Sequence, residues 1–322
     1  HKVNILLYAL MCLVVLSFVR MLFAEYSIGV LIIVALFVVH PIHTEVVANI
    51  KSRDEILALG FGLLSVMSYV NAIENKGWYW YLISLVLIIL AFLSKESAIT
   101  LVGVAFAMPW ALGSRTTHLV NLKKRIPLIL FLASLLVIRV VVYSDWFFES
   151  NDFDLAQKGL FIEDGYVGNP LFDADFATKI ATAFFLLVYF IYRFVVPYPL
   201  VHDYSYNQFA VQYLSSPIVW ACIVVVLILI AMALYGLAKK KPFGIGFLIF
   251  LFSSSIYLHL VQIAPDIFAE RFLFVPSLGL CISLLTLFDF KQLEKPATIV
   301  LALLLIPSFG YTLQRNEAWS DN

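Results

Sequence analysis

The sequence predicts an all-α, polytopic transmembrane helix bundle of about ten spans, with one further interfacial or re-entrant helix on its outer side. Three observations carry that expectation: the composition, apolar runs with no polar face, and the placement of charge along the chain. Of 322 residues, 62% are hydrophobic and 13% charged, and the mean hydropathy is +0.96. A soluble core buries apolar stripes, whereas Tyr81 to Leu93 and Ile218 to Leu234 are apolar on every helical face, as lipid requires. The 21 basic and 21 acidic residues cancel, so no nucleic-acid partner is expected.

Runs near the ~20 residues that a span needs fall at 3–23, 27–44, 55–73, 78–94, 97–112, 126–143, 217–238, 243–263, 271–289 and 297–312. Basic loops at Arg115, Lys123, Lys124 and Arg125, at Lys239 to Lys241, and at Lys291 with Lys295 mark the cytoplasmic side. The long loop 144–175 is acidic, with Asp145, Glu149, Asp152, Asp154, Glu163, Asp164, Asp173 and Asp175 against Lys158, and belongs to the opposite face. Between Arg125 and Lys239 the chain must cross an even number of times. Segments 126–143 and 217–238 supply two crossings, so 176–200 is expected to lie along the outer surface, the alternative being a true span that puts one flanking basic loop outside. The chain thus divides into N-terminal transmembrane helices (1–143, with outer polar turns at 40–55 and 94–97), an outer loop with its interfacial helix (144–216), and C-terminal transmembrane helices (217–322).

This topology gathers the ionisable clusters on the outer face. His40, His43, Glu45, Arg53, Asp54 and Glu55 surround one outer turn, Lys95 and Glu96 sit at the next, and Asp266, Glu270 and Arg271 precede an inward span. Cations at headgroup depth, flanked by carboxylates that orient them, suit a lipid phosphate. Any one of these cations alone reads as a snorkelling anchor; their clustering points to a site. His40 and His43 share a helical face and could bind a metal, help bind phosphate or move a proton, but Pro41 interrupts the turn and backbone-bonded interfacial histidines are the commoner case. No metal site and no covalently bound cofactor is expected, a divalent metal staying open. Cys12, Cys222 and Cys281 lie inside apolar runs and read as small buried hydrophobes. Glycine-rich phosphate loops, Gly-x-Ser-x-Gly elbows and Cys-x-x-Cys pairs are absent from the sequence.

The string His40-Pro41-Ile42-His43-Thr44-Glu45-Val46-Val47 resembles the His-Pro-x-His-Thr-Glu-x-Val signature of the transmembrane and tetratricopeptide-repeat-containing O-mannosyltransferases and their bacterial relatives. Further matches follow in order: Lys2 to Leu7, Ser94-Lys95-Glu96-Ser97, Asn169-Pro170-Leu171, Pro199-Leu200 with Asp203-Tyr204-Ser205, Ala269-Glu270-Arg271-Phe272-Leu273-Phe274-Val275-Pro276-Ser277, and Arg315 with Glu317 and Trp319. The resemblance implies a GT-C type membrane glycosyltransferase in a bacterial inner membrane or the endoplasmic reticulum membrane. Such an enzyme moves a sugar, typically mannose, from a polyprenyl- or dolichyl-phosphate donor to a protein or other acceptor on the periplasmic or lumenal face. Lys95 and Arg271 are then the donor-phosphate candidates, with Glu45, Glu96 and Glu270 orienting them or the acceptor, and His40, His43 and Arg53 in secondary places. The family's catalytic acid lies in a first outer loop, expected upstream of His1, and its repeats would follow Asn322; both ends read as cut, and no signal peptide is expected. A polyprenyl-lipid transporter or flippase, and a non-catalytic anchor for an outer repeat domain, are the alternatives.

Overall fold

The architecture, seen in a computed structural model, is helical. The structure describes residues 1–23, 28–74, 76–112, 161–162, 165–166, 169–172, 174–201, 204, 209–260, 264, 266–287, 306–317 and 319. The expected span 126–143, the basic loops at 115–125 and 291–295, residues 144–160, Asp203 and the first part of 297–312 lie outside these residues. The described helices are α1 (Lys2–Leu22), α2 (Ile28–Val39), α3 (Thr44–Ala48), α4 (Arg53–Ile73), α5 (Tyr79–Ser94), α6 (Thr100–Ala111), α7 (Phe176–Val195), α8 (Pro217–Ala238), α9 (Pro242–Ser255), α10 (Phe274–Thr286) and α11 (306–317). Short 3-10 turns at Pro41–His43, Ile50–Ser52, Glu96–Ile99 and Glu270–Leu273 punctuate them. A two-residue antiparallel pair, Phe161–Ile162 with Gly165–Tyr166, breaks the otherwise helical pattern.

Local chemistry sets these boundaries. Pro41 lacks an N–H and forces the preceding residue out of the helical region, so His40 is extended (φ −65, ψ 127) and the chain bends by 48° between α2 and the stretch 41–48. Asp54 and Glu55 open α4, where its dipole favours negative charge. Asp175 caps α7 by accepting from the Thr178 N–H at 2.9 Å. Pro217 and Pro242 each begin a helix at the position where a missing N–H costs nothing.

The helices pack through small residues and reciprocal polar pairs, as helices in lipid do. Ser65 and Ser84 exchange hydroxyl-to-carbonyl bonds of 2.8 and 3.0 Å across the α4–α5 hairpin. At the α9–α10 contact a Cβ on Gly279 would fall on the carbonyl oxygen of Gly246 and the backbone nitrogen of Phe250, so the two helices meet backbone to backbone. Outward, Leu82, Val86 and Leu93 of α5 and Val224, Leu227, Ile228 and Leu234 of α8 are exposed, the pattern of a lipid-facing surface.

Among the described residues four helices are long and apolar enough to cross a membrane: Lys2–Leu22, Ile50–Ile73, Phe176–Val195 and Pro217–Ala238. The bent pair Ile28–Val39 with Pro41–Ala48 makes a fifth if it counts as one span. The expected spans 78–94, 97–112, 243–263 and 271–289 appear as helices of 16, 12, 14 and 13 residues. The second, third and fourth are shorter than expected, with 97–99, 256–260 and 271–273 lying outside the α-helices in or near the turns that carry the polar clusters. Helix α7 passes the length test, although the sequence places it along the outer surface.

Candidate functional site

Two cations are held by carboxylates at neighbouring places, each assembled from segments far apart in sequence. Lys95 follows the end of α5, in extended conformation (φ −154, ψ 135) because the helix stops there before the turn Glu96–Ile99. Its Nζ lies 2.6 Å from Oε1 of Glu55 and 3.2 Å from Oδ2 of Asp54, both in the first turn of α4. Glu55 is fully buried and both its oxygens lack hydrogen bonds, so its contact with Lys95 is an ion pair rather than a well-aligned bond. The Lys95 side chain keeps 23% of its surface exposed.

Arg271 occupies the turn Glu270–Leu273 that leads into α10. Its backbone N–H donates to Oε2 of Glu45 (2.8 Å) and its Nη1 to Oε1 of the same carboxylate (2.6 Å), while Nη2 pairs with Asp266. Glu45, only 2% exposed, therefore fixes both the backbone and the guanidinium of a residue 226 positions away, and 27% of Arg271 stays accessible. Burial works against the charge of Arg271, but Glu45 and then Asp266 more than offset it and raise its pKa above the usual value. The Arg271 guanidinium lies over Phe272 (5.3 Å), which stacks on Tyr257 (4.3 Å, 12°). Glu55 is near enough to feel the charge of Arg271, so the two cation sites share one neighbourhood.

Beside Arg271, Glu270 turns inward. Its Oε1 accepts long bonds of 3.4 Å from the Tyr204 hydroxyl and from Nη2 of Arg315 on α11. Burial pushes its carboxyl up to about 7; Arg315 pulls it down and the nearby Glu45 pushes it further up. Tyr204 in turn faces Arg193 of α7, whose guanidinium lies 5.8 Å from its ring and 5.2 Å from the ring of Tyr189.

The histidines of the same signature are built differently. His40 caps the Pro41–His43 turn by accepting from the Ile42 N–H (3.3 Å), and its Nε2 donates to the Phe194 carbonyl (2.9 Å). His43 lies between the Tyr8 hydroxyl (3.0 Å) and the Ser277 hydroxyl (2.9 Å). All four ring nitrogens have protein partners, which suits hinge pins better than metal ligands. Arg53 donates from Nε to Asn4 (2.9 Å), whose amide also bonds the carbonyls of Val47 and Asn49, so it staples α1 to the outer turn.

Of the residues read from sequence, Lys95, Arg271, Glu45 and Glu270 thus come together. Glu96 heads its own half-buried turn, and Arg53, His40 and His43 join the scaffold around the site. Asp54, Glu55, Asp266, Tyr204 and Arg315 complete the cluster; the sequence reading named them in its polar clusters or family strings but did not single them out as site residues. The signal for Asp54 and Glu55 was present: two carboxylates heading an apolar span need a cation nearby.

Comparison with known proteins gives the same direction as the motifs. The mouse protein O-mannosyl-transferase TMTC4 is 26% identical over 381 aligned positions, covering 100% of this chain and 49% of the relative. The Caenorhabditis elegans protein O-mannosyl-transferase F38B6.6 is 26% identical and covers 88% of this chain and 38% of its own length. The Drosophila melanogaster protein O-mannosyl-transferase Tmtc1 is 36% identical over 100 residues, 31% of this chain. The chain spans about half the length, or less, of the curated relatives it matches. No family model and no solved structure matches it. Over its whole length, then, the chain is similar to a TMTC protein O-mannosyl-transferase, which is the family its motifs resemble.

Proposed function

We propose that this chain is the membrane body of a GT-C type mannosyltransferase. It takes the sugar from a polyprenyl- or dolichyl-phosphate donor and passes it to a protein acceptor on the periplasmic or lumenal face. The observation that carries this reading is the pair Lys95 and Arg271. Each is about a quarter exposed, each is aimed by one buried and one partly exposed carboxylate, and each has N–H donors left over after those contacts. Lys95 serves as a point charge and Arg271 as an oriented fork. Four carboxylates (Asp54, Glu55, Glu45, Asp266) hold these two cations. The cations therefore keep only part of their charge for a ligand, which suits a phosphodiester with a single charge, as a lipid-phosphate sugar offers.

The orientation and the count of about ten spans belong to the same proposal. Helix α7 fits along the outer surface: Thr182 bonds Gln212 just before α8, and Phe194, twelve residues on, meets His40 at the outer end of α2. Both are points where spans emerge, so this stretch runs across the bundle's outer end. The test is binding of dolichyl phosphate mannose to the full-length protein in nanodiscs. Arg271→Ala and Lys95→Ala are each expected to weaken binding about tenfold or more. Unchanged affinity in both folded variants overturns the assignment.

A further inference from the structure

Glu270 and Arg315 contain a mismatch that the phosphate reading does not use. Glu270 is 1% exposed, and its Oε2 makes no hydrogen bond among the described residues. Nε of Arg315 is likewise buried without a hydrogen bond, although Nη2 of the same guanidinium contacts the other carboxylate oxygen at 3.4 Å. A buried acceptor and a buried donor, each unspent, sit on two side chains that already touch. Leaving either unmet costs about 1–3 kcal/mol, and native proteins rarely leave such groups unmet without a use. The group that meets both at once must donate to a carboxylate oxygen and accept from a guanidinium N–H. A hydroxyl does this, whether of a ligand or of water, and the test below separates the two; a methyl, a carbonyl or an ammonium cannot.

We propose that Glu270 and Arg315, backed by Tyr204, form a hydroxyl-binding subsite next to the Arg271 phosphate position. The hydroxyl comes either from the sugar of the donor or from the serine or threonine of the acceptor. The place fits both. Glu270 precedes Arg271 in the chain, so a hydroxyl on Glu270 lies one residue from the group that holds the phosphate. The two unspent atoms are themselves buried, and the Arg315 side chain beside them keeps 13% of its surface exposed. Burial also favours a Glu270 that is not permanently charged, and such a carboxyl can accept from a hydroxyl or donate to one. The subsite rests on the transferase reading and adds to it the residues that read the sugar or the acceptor.

The test uses the full-length protein in nanodiscs and compares two singly charged probes, dolichyl phosphate mannose and dolichyl methyl phosphate, which has no sugar. In parallel, a serine-containing peptide is compared with its alanine counterpart. If the sugar supplies the hydroxyl, the wild type prefers the mannosyl lipid by about tenfold or more. Glu270→Ala and Arg315→Ala then bring that ratio close to one, while the affinity for dolichyl methyl phosphate holds. If the acceptor supplies it, the lipid ratio survives and the serine preference is the one lost. Arg315→Ala lies on a helix with an exposed apolar face and keeps the test open should Glu270→Ala fail to fold. Both preferences surviving in both variants overturn the subsite and leave the transferase reading standing. A wild-type protein that binds neither lipid overturns the transferase reading, and the subsite with it.

Discussion

His43 and Arg271 come from two strings of the same sequence resemblance and lie in the same outer region, yet they are opposite kinds of polar residue. His43 is sealed between Tyr8 and Ser277, with Phe37 tilted against its ring (4.4 Å) and Phe274 edge-on to it (5.0 Å), and both ring nitrogens used inside the protein. Arg271 is held by Glu45 and Asp266 and still shows a quarter of its surface and part of its donor fork. The first is a strut and the second a hand held open. A polar residue next to a membrane is therefore better classified by the hydrogen-bond capacity it leaves unspent than by its presence in a recognisable string.

That contrast can be broken at several places. The largest effect belongs to Arg271→Ala, which leaves the buried Glu45 only the backbone N–H of residue 271 and should cost up to about 3–5 kcal/mol of stability as well as the donor affinity. The pair variant Glu45→Gln with Arg271→Gln should recover most of the stability and none of the binding, read by thermal unfolding and lipid titration side by side. A double variant that regains binding would make Arg271 another strut. His43→Ala comes next, at about 2–4 kcal/mol, with turnover per folded molecule close to that of the wild type. A collapse of turnover at unchanged stability would move His43 into the chemistry. Lys95→Arg should retain donor binding within about threefold because the charge persists, whereas Lys95→Ala should lose about tenfold. Equal losses in both would show that the point-charge geometry matters more than the charge.

The smallest effect sharpens the comparison through pH. Glu270 has a folded pKa near 7 against an ordinary value of 4.5, because burial disfavours its charged form while Arg315, Tyr204 and Glu45 surround it. Between those values the folded state holds more protons than the unfolded one, so this group's contribution to stability falls as pH rises from about 4.5 to about 7. Melting midpoints across that window should drop more steeply in the wild type than in Glu270→Gln. Parallel slopes would mean that Glu270 titrates normally.

The helices with all-round apolar faces were legible because their pattern is local: α5 and α8 lie within a few residues of the expected runs. The cations and the acid-rich turns were legible too. What the sequence could not supply was pairing. It offered Lys95 the adjacent Glu96, whereas the chain gives it Asp54 and Glu55 from a different helix, 41 and 40 positions away, because extended backbone at residue 95 and a tight turn at 96–99 separate neighbours in sequence. The Glu45–Arg271 pair spans 226 positions, and no local period encodes it. The shortened helices follow from the same cause, since the turns that build the site take residues from the ends of spans that would otherwise be longer.

The backbone contact between α9 and α10 also bears on how the site responds when charge arrives. Arg271 sits at the head of α10, and α10 is seated on α9 through Gly246 and Gly279 without an intervening layer of side chains. Such a joint has no rotamers to rearrange. The turn that carries Arg271 therefore leads into a helix whose seat is set by peptide planes rather than by side chains that could repack, so that end of the turn has a fixed footing.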